Sequence, residues 1–294
     1  MPRRPFGACL TKTLFDANNQ GIIRDLDVVE LWSGVGSIAS AAQKAGYKAA
    51  TVDLKNGEDL TTREGFEDAV SKVLRLKPGG LLSMGIECRS FVFLNSSNCK
   101  RNYYNQYAGD TKYEPVKTGN LFANEGKFFA DLGFARGLIV VIENLPASTL
   151  WSYLPANFMK KLPFSAVCNR CAFDDTPDGQ RLSKKYKFFS NAPWITALQC
   201  PCTCWGDHIS LTTYKDGQIT GKPELLKESE AYPARLGEEL VNAWMTDGYL
   251  GLLDVDGESS DSPERKSKRA RTWQSLEASA SSSGSSGRRG WQEL

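Results

Sequence analysis

The stretch ELWSGVGSIASAAQKAGYKAATVDL, residues 30–54, decides the fold class of this protein. It begins in an apolar run, turns at Gly34 and Gly36, takes helical spacing over residues 37–46 and enters a second apolar segment at residues 47–54. A strand, a tight turn, a helix and a second strand in this order form one unit of a parallel sheet. We therefore predict an α/β protein with a mostly parallel sheet and helices on both faces.

Strand and helix signals continue to alternate along the first half of the chain. We predict a helix at residues 61–80 that stops at Pro-Gly-Gly, a strand at 81–88, a helix at 124–137 and a strand at 138–145. In the second half the pattern loosens into short pieces, which are followed by an amphipathic helix at residues 232–251.

This pattern and the composition divide the chain into four regions. We expect a lead-in at residues 1–26, a core at 27–151, a second part of the core with a small Cys-rich region and a closing helix at 152–255, and a tail at 256–294. The tail is rich in Ser, Gly and charge and has few apolar side chains to bury, so we predict that it is disordered. Its basic segment at residues 264–273 has the composition of a nuclear-import signal, and an ordinary solvated tail is the alternative.

Charge and cysteine content restrict the class of protein. With 294 residues, of which 41% are hydrophobic, the chain is long enough to bury a sizeable core. Its 36 basic and 34 acidic residues give a net charge of +2, which argues against coating nucleic acid by charge alone and leaves room for a local basic groove. We recognise no signal peptide and no bilayer-spanning stretch, so we expect a soluble intracellular protein with reduced cysteines.

The first glycine turn has the features of a cofactor site. Gly34 and Gly36 allow a ligand to approach the backbone closely, and the helix that follows offers free N–H groups. Asp53 ends the second strand 19 residues after Gly34, where a carboxylate can accept both hydroxyls of a ribose. Because the third glycine of the dinucleotide motif is missing, a cofactor without a pyrophosphate fits this turn better.

The same stretch resembles the first two motifs of the S-adenosylmethionine-dependent cytosine-C5 DNA methyltransferases, usually written DLFSGxGG…G…DxD. The resemblance continues in order through five further segments and is closest to a divergent branch of that family. These segments are GEDLTT (57–62), GIECRSF (85–91), VIENLPASTLW (141–151), KKYKFFSN (184–191) and CTCWGDHISL (202–211), followed by a helix in AYPARLGEELVNAW (231–244). Coverage extends over about residues 27–250.

The resemblance implies a Rossmann-like methyltransferase fold and S-adenosylmethionine as cofactor. By the same resemblance Asp59 faces the adenine. The cofactor-binding set it implies is Leu31, Trp32, Ser33, Gly34, Val35, Gly36, Ser37, Asp53, Leu54, Asp59 and Leu60.

The chemistry of C5 methylation explains why a thiol and an acid are needed. Carbon 5 of a pyrimidine becomes nucleophilic when a thiolate adds to carbon 6, and an acid near N3 stabilises the developing charge. Cys88 and Glu143 end neighbouring predicted strands, so we expect both at the carboxyl edge of the sheet, where α/β sheets bind ligands. We expect Asn144 to orient the loop backbone and Lys187 to supply the positive charge that the family provides with arginine. The alternative for Cys88 is a free cysteine packed in the sheet.

Three departures from the family weigh against catalysis. Glu87 stands where the family has proline, and a carboxylate beside a thiol raises its pKa, unless Glu87 points away or Arg89 and the sulfonium charge offset it. Lysine at position 187 lacks the bidentate fork of arginine. Little sequence remains for a target-recognition domain.

Residues 94–120 form a long polar and aromatic segment that would border the site. We predict that Arg89, Ser90, Lys100 and Arg101 contact substrate, with Lys112 and Lys117 as further phosphate contacts and Tyr103 and Tyr104 as stacking surfaces. The alternative is a mobile surface loop with ordinary solvated charges.

A patch of cysteines with the chain's only histidine lies further along. Cys200, Cys202, Cys204 and His208 fall within nine positions, and Cys168 and Cys171 form a C-x2-C pair upstream. Four of these six can close a tetrahedral zinc site, which would be structural, and we assign the first four as the candidate set. A reduced-thiol cluster packed against the sheet is the alternative.

The function predicted from the sequence is transfer of a methyl group to carbon 5 of cytosine in nucleic acid, with DNA as the expected substrate. We expect a monomer in the nucleus or, failing a functional import signal, in the cytoplasm. A catalytically silent nucleic-acid-binding or protein-interaction module on the same fold is the second hypothesis. A methyltransferase for a substrate other than a nucleobase is the third.

Overall fold

A six-stranded sheet lies at the centre of the structure, a computed structural model that describes residues 21–173, 181–204, 208–216 and 218–249. Most of the predicted lead-in, the predicted tail at 256–294 and its basic segment lie outside the described residues. The described strands are β1 (Leu26–Leu31), β2 (Ala49–Val52), β3 (Leu76–Gly85), β4 (Ile139–Asn144), β5 (Phe164–Asn169), β6 (Leu182–Ser183), β7 (Lys185–Ser190), β8 (Ile209–Ser210), β9 (Thr212–Lys215) and β10 (Gln218–Gly221).

The order of the central sheet is β2-β1-β3-β4-β7-β5. Strands β2, β1, β3 and β4 are parallel, whereas β7 is antiparallel to both of its neighbours. The chain moves outward from β1 to β2, then crosses to the other side of β1 for β3, so β1 and β3 form a topological switch point, where α/β sheets bind ligands. The predicted Rossmann-like α/β class is confirmed.

Helices cover both faces of the sheet, as predicted. They are α1 (Ser37–Lys44), α2 (Arg63–Leu74), α3 (Ser96–Cys99), α4 (Glu114–Ala135), α5 (Leu150–Tyr153), α6 (Ala156–Met159), α7 (Pro223–Glu228) and α8 (Ala234–Ala243). Side chains of α2 and α4 pack on one face with Val29, Leu82 and Val140. Side chains of α1 and α8 pack on the other face with Val28 and Leu81. Alternate strand residues thus face different cores, which explains the continuous apolar runs in the sequence.

Several element boundaries differ from the sequence predictions. Strand β3 covers Leu76–Gly85 rather than residues 81–88, so Cys88 lies after the strand and does not end it. Helix α2 ends at Leu74, because Leu76 already pairs with Leu26 in the sheet; a register shift then takes up the Lys-Pro-Gly-Gly segment before regular pairing resumes. Helix α4 begins at Glu114, ten residues before the predicted start. Helix α8 ends at Ala243 and is followed by a wider turn over Trp244–Tyr249.

Helix α8 contacts α1 through a glycine. A Cβ at Gly237 would lie 2.5 Å from the carbonyl oxygen of Ser37, and Ser37 Oγ donates a hydrogen bond of 2.9 Å to the carbonyl oxygen of Tyr232. The close approach of the two helices therefore fixes the segment that precedes α8 against the first turn of α1. Within the described ranges, no helix is both long and apolar enough to cross a membrane.

Substitution of Gly237 tests this contact. Alanine in an open helical position stabilises by about 1 kcal/mol relative to glycine, but here the methyl group meets backbone that must shift. We expect Gly237→Ala to lower the free energy of unfolding in urea by about 1–3 kcal/mol. The exposed Glu239→Ala on the same helix is the control and should change stability by less than about 0.5 kcal/mol. An increase in stability for Gly237→Ala would show that the helices are not in close contact.

Candidate active site

Three residues on one face mark the carboxyl edge of the sheet at the switch point. Glu30 pairs with Ser83 near the end of β1 and β3, and Gly85 pairs with Glu143 one step further along. Residues that pair across parallel strands share a face, so Glu30, Gly85 and Glu143 point to the side that α1 and α8 cover. The side chains of Glu30 and Glu143 thus lie on the same face, with Gly85 on the strand between them.

The glycine turn after β1 is held by Asp53. Gly34 and Gly36 have φ angles of 60° and 69°, a region that glycine enters without strain. The Gly34 N–H donates to Asp53 Oδ2 at 2.8 Å, and the Lys55 N–H donates to Asp53 Oδ1 at 2.9 Å. Asp53 therefore ties the turn to the end of β2, in addition to any role toward a ligand.

The remaining residues of the predicted cofactor set fall into two groups. Val35 and Leu54 are exposed by 60% and 70%, which leaves apolar side chains free beside the turn. Leu31 and Leu60 are buried in the core, so they can only support the site from beneath. Asp59 accepts hydrogen bonds from the N–H and hydroxyl of Thr61 at 2.8 and 2.7 Å, which closes the loop before α2.

The residues between Leu31 and Ser37 are packed tightly. Trp32 has a φ of 51°, which is strained for a residue with a side chain, and its ring contacts Phe122 and Phe129 of α4. Ser33 and Ser37 are buried. Among the described residues, Trp32 Nε1 and Ser33 Oγ are buried without a hydrogen-bond partner.

Glu30 is an acid that the sequence reasoning did not single out. Its Oε2 accepts the N–H of Ala39 at 2.8 Å, so a buried carboxyl lies beneath the N-terminus of α1. Burial raises the pKa of Glu30 to about 7, although the N–H groups of Ala39 and Ile38 oppose that rise. An acid within an apolar strand, VVELW, was the signal that could have identified it.

Cys88 lies just beyond β3 and is half-buried. Burial raises the pKa of its thiol to about 11; the charge of Lys184 opposes the rise, and Glu143 and Glu87 add to it. The effects of Lys184 and Glu143 show that these three groups share one electrostatic environment. Glu87 raises the pKa as its position in the sequence predicts, but it is the smallest of these charge effects.

Glu143, the penultimate residue of β4, has a buried carboxyl that is hydrogen-bonded to a residue far along the chain. Tyr232 Oη donates a hydrogen bond of 2.6 Å to Glu143 Oε2. Burial raises the pKa of Glu143, and the Tyr232 hydrogen bond and the charge of Lys184 offset part of the rise. Burial and Glu143 together raise the pKa of Tyr232 well above its ordinary value, so its phenol stays protonated and remains a donor.

The cation at this site is Lys184, not Lys187. Lys187 pairs with Asn144 and therefore faces the side opposite to Glu143, where its Nζ lies 4.6 Å from the centroid of Phe189. Lys184 precedes β7, and its pKa is lowered by burial, while Glu143 and Cys88 oppose that change. Because side chains alternate between the two faces of a strand, Lys187 shares a face with Phe189 and not with the buried Tyr186. This alternation could have shown from the sequence that Lys187 is not the cation of the site.

Asn144 joins the two predicted catalytic segments. Its side chain is buried, and Nδ2 donates a hydrogen bond of 2.7 Å to the carbonyl oxygen of Ile86, two residues before Cys88. Its Oδ1 accepts the N–H of Leu145 at 3.0 Å. Asn144 therefore connects the backbone just before Cys88 to the end of β4, as a residue that orients the Cys88 loop would.

Arg101 stabilises the loop after Cys88 and is not available to phosphates. It is buried, its Nε and Nη2 donate to the carbonyl and hydroxyl oxygens of Ser90 at 2.8 Å each, and its guanidinium lies 3.8 Å from the centroid of Phe91. Ser90 is buried as well. The prediction that Ser90 and Arg101 contact substrate is therefore not supported by their positions. The exposed groups of this surface are Arg89, Lys100, Lys112 and Lys117, with Tyr103 and Tyr104 exposed by 79% and 95%.

A cluster of cysteine and histidine side chains lies beyond β5. Cys171, Cys202, Cys204 and His208 place one ligand atom each within 4.8 Å of one another. Cys171 thus takes the place that the sequence prediction gave to Cys200. We call these four residues the Cys/His cluster.

Comparisons with known proteins add little to this geometry. No family model matches the chain, and no curated protein matches it. Among solved structures, it is similar to the crystal structure of the S. pombe Dnmt2 methyltransferase, at 12% sequence identity and a TM-score of 0.30. The match covers 63% of this chain and spans about half, 52%, of that chain. A likeness at that TM-score adds nothing to the fold, which rests on the strand order.

The charges around Cys88 lead to a prediction about its reactivity. Removal of Lys184 takes away the charge that lowers the Cys88 pKa, so Lys184→Gln should slow alkylation of Cys88 by iodoacetamide at pH 8 by roughly three- to tenfold, since each pKa unit changes the thiolate fraction about tenfold. Glu143→Gln removes a charge that raises this pKa and should accelerate alkylation. The measurement is the rate of modification of the Cys88 peptide by mass spectrometry.

Lys187→Gln is the matched control, because Lys187 faces the other side of the sheet. The rate of Cys88 alkylation in this variant should equal that of the chain without substitutions. Equal slowing by Lys184→Gln and Lys187→Gln would contradict the placement of Lys184 beside Cys88.

Proposed function

We propose that this protein is an S-adenosylmethionine-dependent methyltransferase that acts on carbon 5 of cytosine in DNA through a covalent adduct of Cys88. The observation that carries the proposal is that Gly85, three residues before Cys88, pairs with Glu143 at the carboxyl edge of the sheet, where the charge of Lys184 acts on both groups. This edge supplies a thiol, a cation that favours the thiolate, and an acid with a raised pKa, which are the groups that addition to a pyrimidine requires.

The turn after β1 fits S-adenosylmethionine in three respects. Gly34 and Gly36 allow close approach to the backbone, and the exposed Val35 and Leu54 offer apolar contacts on either side. The buried Ser33 Oγ, which has no partner among the described residues, can be satisfied by a bound polar group. The acids of this edge suit a cofactor that carries a positive sulfonium. When bound, S-adenosylmethionine supplies an electrophilic methyl group.

Each side chain of the site has a distinct task in this proposal. Cys88 adds to carbon 6 as thiolate, and Lys184 stabilises that form. Glu143 delivers a proton or hydrogen bond to N3 through Oε1, because Tyr232 occupies Oε2. The raised pKa of Glu143 keeps it protonated further toward neutral pH than an ordinary glutamic acid, which suits a general acid. Asn144 holds the loop that carries Cys88.

One observation favours the alternative, a catalytically silent module on the same fold. With a pKa of about 11, only about one Cys88 thiol in a thousand or fewer is ionised near pH 7.5 in the absence of ligands. The proposal therefore requires that bound cofactor or substrate lowers this pKa further. The silent module requires no such change.

Partners and location follow the proposed function. The exposed Arg89, Lys100, Lys112 and Lys117 provide contacts for DNA phosphates, and the exposed Tyr103 and Tyr104 provide stacking surfaces. Cytosine in a duplex would be flipped out to reach Cys88. A monomer in the nucleus, directed by the basic segment at residues 264–273, is part of the same proposal.

A covalent trap tests the catalytic proposal. Duplex DNA of random sequence, with 5-fluorocytosine in place of cytosine, is incubated with the full chain and S-adenosylmethionine. We expect a denaturation-resistant adduct on the Cys88 peptide, because fluorine at carbon 5 blocks release of the enzyme. Cys88→Ser should abolish the adduct, whereas Cys200→Ser should retain it.

Calorimetric titration with S-adenosylmethionine separates the possible failures. Cofactor binding without an adduct on DNA would favour the silent module. An adduct on the equivalent RNA pool alone would change the substrate and keep the chemistry. Absence of cofactor binding by the folded chain would refute the methyltransferase proposal as a whole.

A further inference from the structure

The Cys/His cluster joins three segments of the chain that are separate in sequence. Cys171 lies in the turn after β5, Cys202 and Cys204 lie in the loop that follows Cys200, and His208 directly precedes β8. Cys202 Sγ and His208 Nε2 lie 3.4 Å apart. The cluster lies outside the set of residues proposed for methyl transfer.

We propose that the Cys/His cluster binds one Zn²⁺ ion through three thiolates and one imidazole. Zinc prefers these ligands and holds four of them in a tetrahedron, with Zn–S near 2.3 Å and Zn–N near 2.0–2.1 Å, so the ligand atoms lie about 3.5–3.8 Å apart. All four ligand atoms already lie within 4.8 Å of one another. A contraction of about 1.3 Å or less in any ligand–ligand distance completes the site, and side-chain rotation can provide it.

Cys200 lies outside the set of grouped ligand atoms, and its backbone is paired with β5. It pairs with Cys168 in a parallel bridge, its N–H donates to the carbonyl oxygen of Val167 at 3.2 Å, and its carbonyl oxygen accepts the N–H of Asn169 at 3.1 Å. These bonds hold Cys200 at the edge of the sheet. Its Sγ contacts only the carbonyl oxygen of Pro201, at 3.9 Å, among the hydrogen bonds described for it. Cys200 therefore provides an internal control for the metal site.

Four protein ligands leave no open position for water or substrate, so the site is structural rather than catalytic. Its position shows what it stabilises. Arg170, next to Cys171, donates hydrogen bonds to the carbonyl oxygen of Ala231 at 2.6 Å and to Tyr186 Oη at 3.1 Å. The backbone N–H of Arg170 donates a hydrogen bond to the carbonyl oxygen of Lys184 at 2.8 Å. Zinc would thus fix the turn that supports Lys184 and the segment before Tyr232.

His208, which precedes β8, is connected to the same region through β8. His208 precedes Ile209, whose N–H donates to the carbonyl oxygen of Arg181 at 2.8 Å, and β8 pairs in parallel with β6, just before Lys184. Metal binding would therefore hold both β6 and the Arg170 turn in place. This inference does not depend on methyl transfer, since a silent module on the same fold would need the same support.

Metal content and cobalt spectroscopy test the site. The full chain, expressed in zinc-supplemented medium and purified under reducing conditions without chelators, should contain one zinc per chain by elemental mass spectrometry. After exchange into Co²⁺, it should show the intense visible bands of tetrahedral cobalt and a thiolate-to-cobalt charge-transfer band in the near ultraviolet. Removal of zinc with a chelator should lower the Tm, because metal that binds only the folded chain stabilises it.

Matched cysteine variants decide which residues are ligands. Cys171→Ser and Cys202→Ser should each weaken Co²⁺ binding by more than the roughly 10- to 100-fold that loss of a supporting group costs, whereas Cys200→Ser should keep the affinity and the spectrum. Cys202 is exposed, so its variant remains informative if Cys171→Ser fails to fold.

Three outcomes would overturn the proposal. The first is a folded chain without metal and without the cobalt bands. The second is loss of the bands with Cys200→Ser but not with Cys171→Ser. The third is a disulfide among Cys171, Cys202 and Cys204 in the chain purified under reducing conditions, detected by peptide mass spectrometry without further reductant.

Discussion

The hydrogen bond of 2.6 Å between Tyr232 and Glu143 is the interaction on which the rest of the site depends. It joins the end of β4 to the segment that precedes α8, 89 residues further along the chain. A Cβ at Gly85, the neighbouring strand position, would lie 2.8 Å from Tyr232 Oη, so a side chain there would displace the phenol. Ser37 Oγ and Arg170 hold the backbone on both sides of Tyr232. The segment that carries this phenol therefore contacts the first turn of α1, the acid at the sheet edge and Arg170, the residue next to Cys171.

Burial gives this edge its chemical character. It raises the pKa of Cys88, Glu143 and Glu30 and lowers that of Lys184, so each group is shifted toward its neutral form. A neutral acid beside a pyrimidine is useful to catalysis, whereas a neutral thiol is not. In the proposed reaction, ionisation of Cys88 is therefore the requirement that burial opposes. Lys184 is the charge within the described site that lowers the pKa of Cys88.

Local patterns predicted the parts of the structure that local chemistry determines. Strands β1 to β4, the glycine turn and helix α1 follow from apolar periodicity and from the glycines that end elements. The N-terminal half of α4 was missed, because its first turns carry polar residues that read as a loop. The register shift after Leu76 was missed as well, because a Pro-Gly-Gly segment usually ends a helix rather than interrupting a strand. Spacing could not assign three residues of the sites. Only tertiary packing brings Tyr232 to Glu143, Cys171 to the Cys/His cluster and Lys184 to Cys88.

The most direct test of this account is the ionisation of Glu143 itself. Infrared spectroscopy of the chain labelled with ¹³C at glutamate carboxyls follows the protonated band with pH, and Glu143→Gln identifies the contribution of that residue. The account predicts that Glu143 titrates above the ordinary range of glutamic acid, and that Tyr232→Phe raises its pKa further, because the Tyr232 hydrogen bond favours the carboxylate. A Glu143 that titrates at or below the ordinary value, unchanged by Tyr232→Phe, would contradict it.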